Sequence, residues 1–257
     1  MTDSYRYTDE FFDYNIQLSL RSARSFIAHV MPILRPGSVL DVGCGRGPWL
    51  KAWSEVGIAS IHGVDGDYVD QKKLLIPREA FTARNLVSPF DLGRRFDLVQ
   101  SVEVAEHLPA ESAAGFVKTL CAHGDVILFS AAVVGQGGEF HVNEQPLEYW
   151  RRYFAGLGFA AFDALRPLVA GERTIEPWYR FNTILYANKA GQERLARSVL
   201  ARKVPEQVLL RDGGDMSWRA RKAVVRSLPR VAVEWIARQS ARRAARRART
   251  RRYPARD

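Results

Sequence analysis

SVLDVGCGRGPWL, residues Ser38 to Leu50, decides the fold. Ser38, Val39, Leu40, Asp41 and Val42 make the short apolar run of a parallel strand covered on both faces. Gly43, Gly45 and Gly47 then let the backbone turn tightly and come close to a ligand before a helix opens at Pro48. The spacing is G-x-G-x-G, whereas a dinucleotide fingerprint is G-x-G-x-x-G, which weakens a nicotinamide or flavin reading.

Outward from this stretch the chain alternates strands and helices. Upstream, residues from about 11 to 34 carry Phe12, Ile16, Leu20, Phe26, Ile27 and Val30 at helical spacing, a lead-in helix ended by Pro36 and Gly37. Tyr5, Tyr7 and Phe11 ahead of it read either as packing or as a cover over a ligand. Downstream, a helix over about 48–56 stops at Gly57, and IASIHGVD is a second strand ending at Asp65. A carboxylate at the carboxyl end of that strand suits the two hydroxyls of an adenosine ribose. Further strands are expected over about 80–85, 96–102, 124–130, 159–165 and 181–187. This is an α/β pattern, a doubly wound and mostly parallel sheet.

The glycine stretch resembles motif I of the class I S-adenosylmethionine-dependent methyltransferases, [VIL]-L-D-[VIL]-G-C-G-x-G. The resemblance covers about residues 5 to 188 and implies a Rossmann-like sheet of seven strands with the last one antiparallel. It assigns S-adenosylmethionine to Asp41, Gly43, Gly45, Gly47 and Asp65, and to Asn85 with Leu86, which stand where the family usually has Asp-Leu beside the adenine.

A second constellation follows the fourth strand. If a helix starts there, Glu103, Glu106 and His107 stand at i, i+3 and i+4 on one face, and the loop after the fifth strand brings His141 to them. Two carboxylates and two imidazoles make a divalent-metal set; oxygen ligands suit Mg²⁺, and imidazoles lean towards Mn²⁺, Fe²⁺ or Zn²⁺. The alternative is that the acids cap the helix, with His107 or His141 as an ordinary base. The pattern Glu103-x-x-Glu106-His107 with His141, and Glu144 beyond, is similar to that of the terminal 2′-O-methyltransferases of small RNAs and of the ubiquinone-pathway O-methyltransferases. That resemblance implies methylation of one of two adjacent hydroxyls chelated by a metal, with Glu106, His107 and His141 acting in catalysis. The surrounding HVNEQPLEYW looks more like sugar or secondary-metabolite methyltransferases, which implies a small-molecule or glycan acceptor. Tyr149, Trp150, Trp178 and Tyr179 are candidates for a flat wall against it, and Trp150 and Tyr153 read equally as core.

Charge is unevenly spread. Residues 219–257 hold fourteen Arg or Lys against two acids, so the tail carries +12 of a total of +10 and the other 218 residues carry −2. A near-neutral body speaks against a broad nucleic-acid surface and hence against RNA 2′-O-methylation. Val224, Val225, Leu228, Val231, Trp235 and Ile236 keep helical spacing, able to lie on the main domain, a partner or a membrane, whereas residues 237–257 have charge without a core pattern and should be mobile. The tail suits an anionic membrane or a nucleic acid, or serves only for solubility. Three parts are therefore expected: a helical cap over 1–36, the methyltransferase domain over 37–190, and a basic tail over 191–257. Two cysteines, no leader pattern and no long apolar run point to a cytoplasmic protein, membrane-peripheral at most through its tail. The leading reading is an O-methyltransferase for a hydroxyl of a small metabolite; a non-catalytic adaptor of the same fold is the alternative outside enzymology. Oligomeric state is not legible.

Overall fold

The structure, a computed structural model, describes residues 9–229, 231–233, 236 and 239, with side chains from residue 16 onward. Helix α1 (Asp9–Val30) buries Leu20, Ala23, Phe26, Ile27 and Val30, the stripe that the spacing predicts. It leads into β1 (Ser38–Val42), whose last four residues are all buried. Next come α2 (Pro48–Glu55), with Pro48 in its first turn, and β2 (Ser60–Asp65). Arg24 on α1 pairs through both Nε and Nη2 with Glu55 on α2, at 2.7 and 2.8 Å, fixing the lead-in helix on the sheet's first crossover.

Then follow β3 (Phe81–Ala83), β4 (Leu98–Val102), α3 (Ala113–His123), β5 (Val126–Ser130) and α4 (Leu147–Gly156). The chain continues through β6 (Ala160–Phe162), α5 (Arg166–Val169), α6 (Pro177–Asn182), β7 (Ile184–Ala187), α7 (Lys189–Gln192), α8 (Arg197–Leu200) and α9 (Met216–Ser227). One seven-stranded sheet has the order β3-β2-β1-β4-β5-β7-β6. Strands β1 to β5 are parallel, and β7 runs antiparallel to both neighbours. The order reverses between β1 and β4, so a crevice opens at the carboxyl ends of these two strands, where open α/β sheets take their ligands.

The structure corrects three local expectations. No α-helix begins after β4: residues Ala105–His107 and Ala110–Ser112 are single 3₁₀ turns, and α3 starts only at Ala113. Pro109 is the cause, because the residue before a proline is driven out of the helical region, and Leu108 accordingly has ψ 145°. The last strand starts at Ile184 rather than at 181, since Pro177 opens a short helix that takes Phe181 and Asn182.

The third concerns the C-terminal part, which is not an appended tail over its described length. Val204 N–H donates to Ala161 O, Arg151 reaches the carbonyls of Glu206 and Val208, and Trp218 on α9 is buried. Residues 191–229 therefore wrap back over the edge of the main domain. The mobility expected for 237–257 falls, apart from Gln239, outside the described residues. Among the described residues no helix is long and apolar enough to cross a membrane.

A candidate cofactor cleft and metal centre

A cleft of about 920 Å³ opens at the carboxyl ends of β1, β2 and β4. Gly43 and Gly45 line it, with Asp65, Asn85, Leu86, Glu103 and His107 around them. Gly43 has φ 88° and its N–H donates to Val64 O at 2.7 Å, tying the loop to β2. A Cβ there would also collide with the side chain of Val104. Gly43→Ala is therefore expected to cost about 1–3 kcal/mol of stability and to weaken S-adenosylhomocysteine binding at least roughly tenfold, read by thermal melting and calorimetry. An alanine variant with unchanged melting and affinity would contradict this reading of the loop.

Asp65 stands where the sequence puts it. Its Oδ2 accepts from Gly45 N–H at 2.6 Å, and its Oδ1 accepts from Gly66 N–H at 2.6 Å and Tyr68 O–H at 2.5 Å. Burial raises its pKa above the usual carboxylate range, and these donors oppose the rise. Asn85 and Leu86 line the cleft as expected. Two other sequence candidates do not. Asp41 is buried within β1 beside Gln100, its registered neighbour on β4, and burial pushes its pKa up to about 8. Gly47 is the left-handed residue capping α2, with φ 83°.

Glu103 leaves β4 with φ 56°, a strained conformation for a residue with a side chain. Its N–H donates to Ser130 O at 3.0 Å, and its carboxylate accepts from Gln136 Nε2 at 2.6 Å and Asn182 Nδ2 at 3.3 Å. Asn182 Nδ2 also donates to Gln136 Oε1 at 2.8 Å, so the two amides form a cradle around one carboxylate. Burial raises the pKa of Glu103 against these bonds.

Glu106, His107 and His141 do come together: one potential ligand atom from each lies within 4.8 Å of the others. Glu103 is outside this group, which corrects the four-ligand set, because the left-handed turn and the 3₁₀ geometry remove the shared helical face. His141 Nε2 is 4.0 Å from Glu106 Oε1, and the His107 and His141 rings meet edge to face at 4.9 Å. His141 Nδ1 lies 2.9 Å from Glu144 Oε1, and Glu144 also accepts from Gly135 N–H at 2.8 Å and Gly137 N–H at 2.7 Å. Although burial opposes it, these partners hold Glu144 below the usual carboxylate range. With a proton on Nδ1 for Glu144, His141 presents the lone pair of Nε2 to Glu106, the arrangement of a carboxylate-oriented metal-binding imidazole.

Glu106 is fully buried, and its Oε2 has no hydrogen-bond partner. Burial, with the nearby Glu103 adding to it, pushes its pKa well above normal. His107 lines the cleft and is exposed to it; desolvation by the surrounding protein and the neighbouring His141 push its pKa down to about 4. An orphaned buried carboxylate oxygen beside two imidazoles, one of them oriented by a carboxylate, fits a divalent cation, and the nitrogen-rich set leans towards Mn²⁺, Fe²⁺ or Zn²⁺.

Several parts of the site have no signal in the sequence. Gln136 and Asn182 are ordinary amides on separate elements, and Tyr68 is an exposed aromatic on the loop after β2. From α9, Arg221 donates to the Gln136 carbonyl, and Arg226 donates through Nε and Nη2 to Val134 O at 3.0 and 2.9 Å. The C-terminal helix thus clamps the loop that carries Gln136, His141 and Glu144. The aromatic wall suggested for the acceptor is absent from the cleft. Trp150 packs on Phe129 in the core, Tyr179 packs on Trp49, and neither Tyr149 nor Trp178 lines the cleft. Tyr5 and Tyr7 lie outside the described residues, as does the side chain of Phe11.

Residues 12–162 match a family model described as a methyltransferase domain. No curated protein is significantly similar to the chain. Among solved structures, DesVI of Streptomyces venezuelae is 20% identical over 50% of this chain, at a TM-score of 0.41, and the match spans 59% of that protein. Magnesium protoporphyrin IX methyltransferase of Synechocystis PCC 6803, solved with S-adenosylmethionine bound, is 16% identical over 72% of this chain and 87% of its own, at a TM-score of 0.48. The methyltransferase domain of a bacterial Hen1 is 16% identical over 65% of this chain and 97% of its own length, at a TM-score of 0.48. Likeness at this level says nothing about what this chain methylates.

Proposed function

The chain belongs to the S-adenosylmethionine-dependent class I methyltransferases, and on that premise we propose that it methylates a hydroxyl of a small metabolite, including one of a vicinal diol, with a divalent metal held by Glu106, His107 and His141. The observation that carries this reading is the cluster itself: a buried carboxylate with one unpartnered oxygen and two imidazoles, bordering the cleft that holds the glycine loop and Asp65. An adaptor would have no use for such a set, whose burial is costly without a cation.

The transfer is an in-line displacement in which the C–S bond of the sulfonium breaks as the C–O bond forms, releasing S-adenosylhomocysteine and the hydroxyl proton. Asp65 holds the ribose hydroxyls, and the Gly43–Gly45 backbone admits the cofactor close to β1. Glu103 places a carboxylate on the cleft wall, kept in one rotamer by the Gln136 and Asn182 amides. Glu144 keeps the His141 ring in one tautomer and orientation. When bound, the metal supplies Lewis acidity that lowers the pKa of the acceptor hydroxyl.

Purified protein with tritiated S-adenosylmethionine and Mn²⁺ should label vicinal diols at least roughly tenfold faster than matched mono-alcohols, with the label on oxygen by mass spectrometry. Label found only on amines, or equal rates on diols and mono-alcohols, would defeat this assignment.

A further inference from the structure

The imidazole pair borders two hollows. His107 lines the cofactor cleft, while His141 lines a second hollow of about 340 Å³. Its walls are Val134 and Val142 from the loop after β5, Val225 on α9, and Leu228 and Val233 beyond it. We propose that this hollow seats the body of the methyl acceptor, and that the acceptor is a compact hydroxylated compound with a hydrocarbon body rather than a glycan or a polynucleotide. This deepens the O-methyltransferase reading and rests on it for the identity of the occupant.

Position supports the assignment. The two rings meet at 4.9 Å, so the hollow and the cofactor cleft abut the same cluster, one through each imidazole. A bisubstrate enzyme needs two adjoining sites that converge on the reacting atoms, and this pair meets at His107 and His141, the two imidazoles beside Glu106.

Size and lining set the chemical class. Small-molecule sites start at roughly 300 Å³, so about 340 Å³ seats a body of about one small ring or a short branched chain. Five of the eleven lining residues are aliphatic, three are glycines, and the rest are His141, Glu144 and Arg226. Val134 and Val142 stay 39% and 53% exposed, apolar surface left open at the rim. The charged groups present are already engaged: Glu144 by His141 and two backbone amides, Arg226 by the Val134 carbonyl. Among the described residues a sugar would find no Phe, Tyr or Trp face in the hollow, and a phosphate backbone would find one guanidinium, that of Arg226, already on the Val134 carbonyl.

Three of the five aliphatic residues lie beyond residue 162, where the match to the family model ends. Acceptor choice is thereby assigned to the C-terminal segment, and the clamp of Arg221 and Arg226 on the loop holds the two halves of the hollow together.

The test uses the full chain with S-adenosylmethionine and Mn²⁺, and two probes that both offer adjacent hydroxyls: 4-methylcatechol and methyl glucoside. The catechol should be methylated with kcat/KM at least about tenfold higher. Val225→Trp, which fills the hollow from α9, should raise KM for 4-methylcatechol about tenfold or more while S-adenosylhomocysteine affinity is unchanged. Val142→Trp does the same from the opposite, solvent-exposed rim and serves if the first variant is unstable. A preference for the glucoside, or a KM unmoved by both variants, overturns the proposal. If neither probe is methylated, the O-methyltransferase reading is what has failed, and calorimetry of 4-methylcatechol in EDTA decides the hollow separately. Binding by the parent chain that both tryptophan variants abolish supports the site, and no binding by the parent chain overturns it.

Discussion

Methyl transfer should fall by about three powers of ten in excess chelator and recover on addition of Mn²⁺, a loss of roughly 4 kcal/mol in transition-state stabilisation, within the several kcal/mol a Lewis-acidic ion contributes. The reason lies in how the protein treats Glu106. Its carboxyl is buried, has an oxygen with no hydrogen-bond partner, and is close enough to Glu103 to be raised further by that charge. Such a group is costly to keep unless something positive shares its site. The adjacent His107 ring brings no compensating charge, since desolvation and His141 drive it towards its neutral form. Glu106→Ala and His141→Ala should each lose metal and turnover together. Glu144→Gln should weaken metal binding by about 10- to 100-fold, the scale for a partner that only orients a ligand, because it leaves the Nε2 donor in place. Retention of full turnover by the chelated protein would remove the metal from the mechanism.

Asp65→Ala should weaken S-adenosylhomocysteine binding by about 1.5–3 kcal/mol, or roughly 10- to 150-fold, the scale of hydrogen bonds to a charged group. Asp65 also receives the Gly45 and Gly66 amides and the Tyr68 hydroxyl, so its removal loosens the glycine loop as well as deleting the ribose partner. Asp65→Asn keeps one acceptor oxygen and should fall between the parent and the alanine variant. Calorimetry gives the affinities, with melting temperatures as the control for folding. Equal affinity in all three proteins would place the ribose elsewhere.

These two sites were legible in the sequence to different depths. The glycine loop and Asp65 are local: a strand, a turn and the end of the next strand fix them through backbone rules that a short stretch can express. The cluster after β4 depends on chain geometry that residue spacing misrepresents. Glu103, Glu106 and His107 have helical spacing, but Pro109 prevents a helix from including Leu108, and Glu103 turns into the left-handed region instead. The glutamate is thereby delivered to Gln136 and Asn182, from residues 33 and 79 positions away, contacts that no local pattern encodes. Phe181 and Asn182 read as strand by their apolar setting, and Pro177 made them helix.

The C-terminal segment misleads for another reason. Its arginines dominate the charge count, and the helical spacing from Val224 to Ile236 leaves open whether that stretch lies on the main domain, a partner or a membrane. Arg221 and Arg226 cap backbone carbonyls of the loop beside His141, and Trp218 and Lys222 are buried beneath them. Their role depends on carbonyls exposed by the loop's glycine turns, which sequence alone does not orient.

The most direct measurement is diffraction at the manganese absorption edge from crystals of the protein grown with S-adenosylhomocysteine and Mn²⁺. An anomalous peak among Glu106, His107 and His141, at coordinating distances of about 2.0–2.3 Å, is expected, with the ribose hydroxyls on Asp65. Bound S-adenosylhomocysteine with no anomalous peak at those three side chains would contradict a metal-assisted O-methyltransferase.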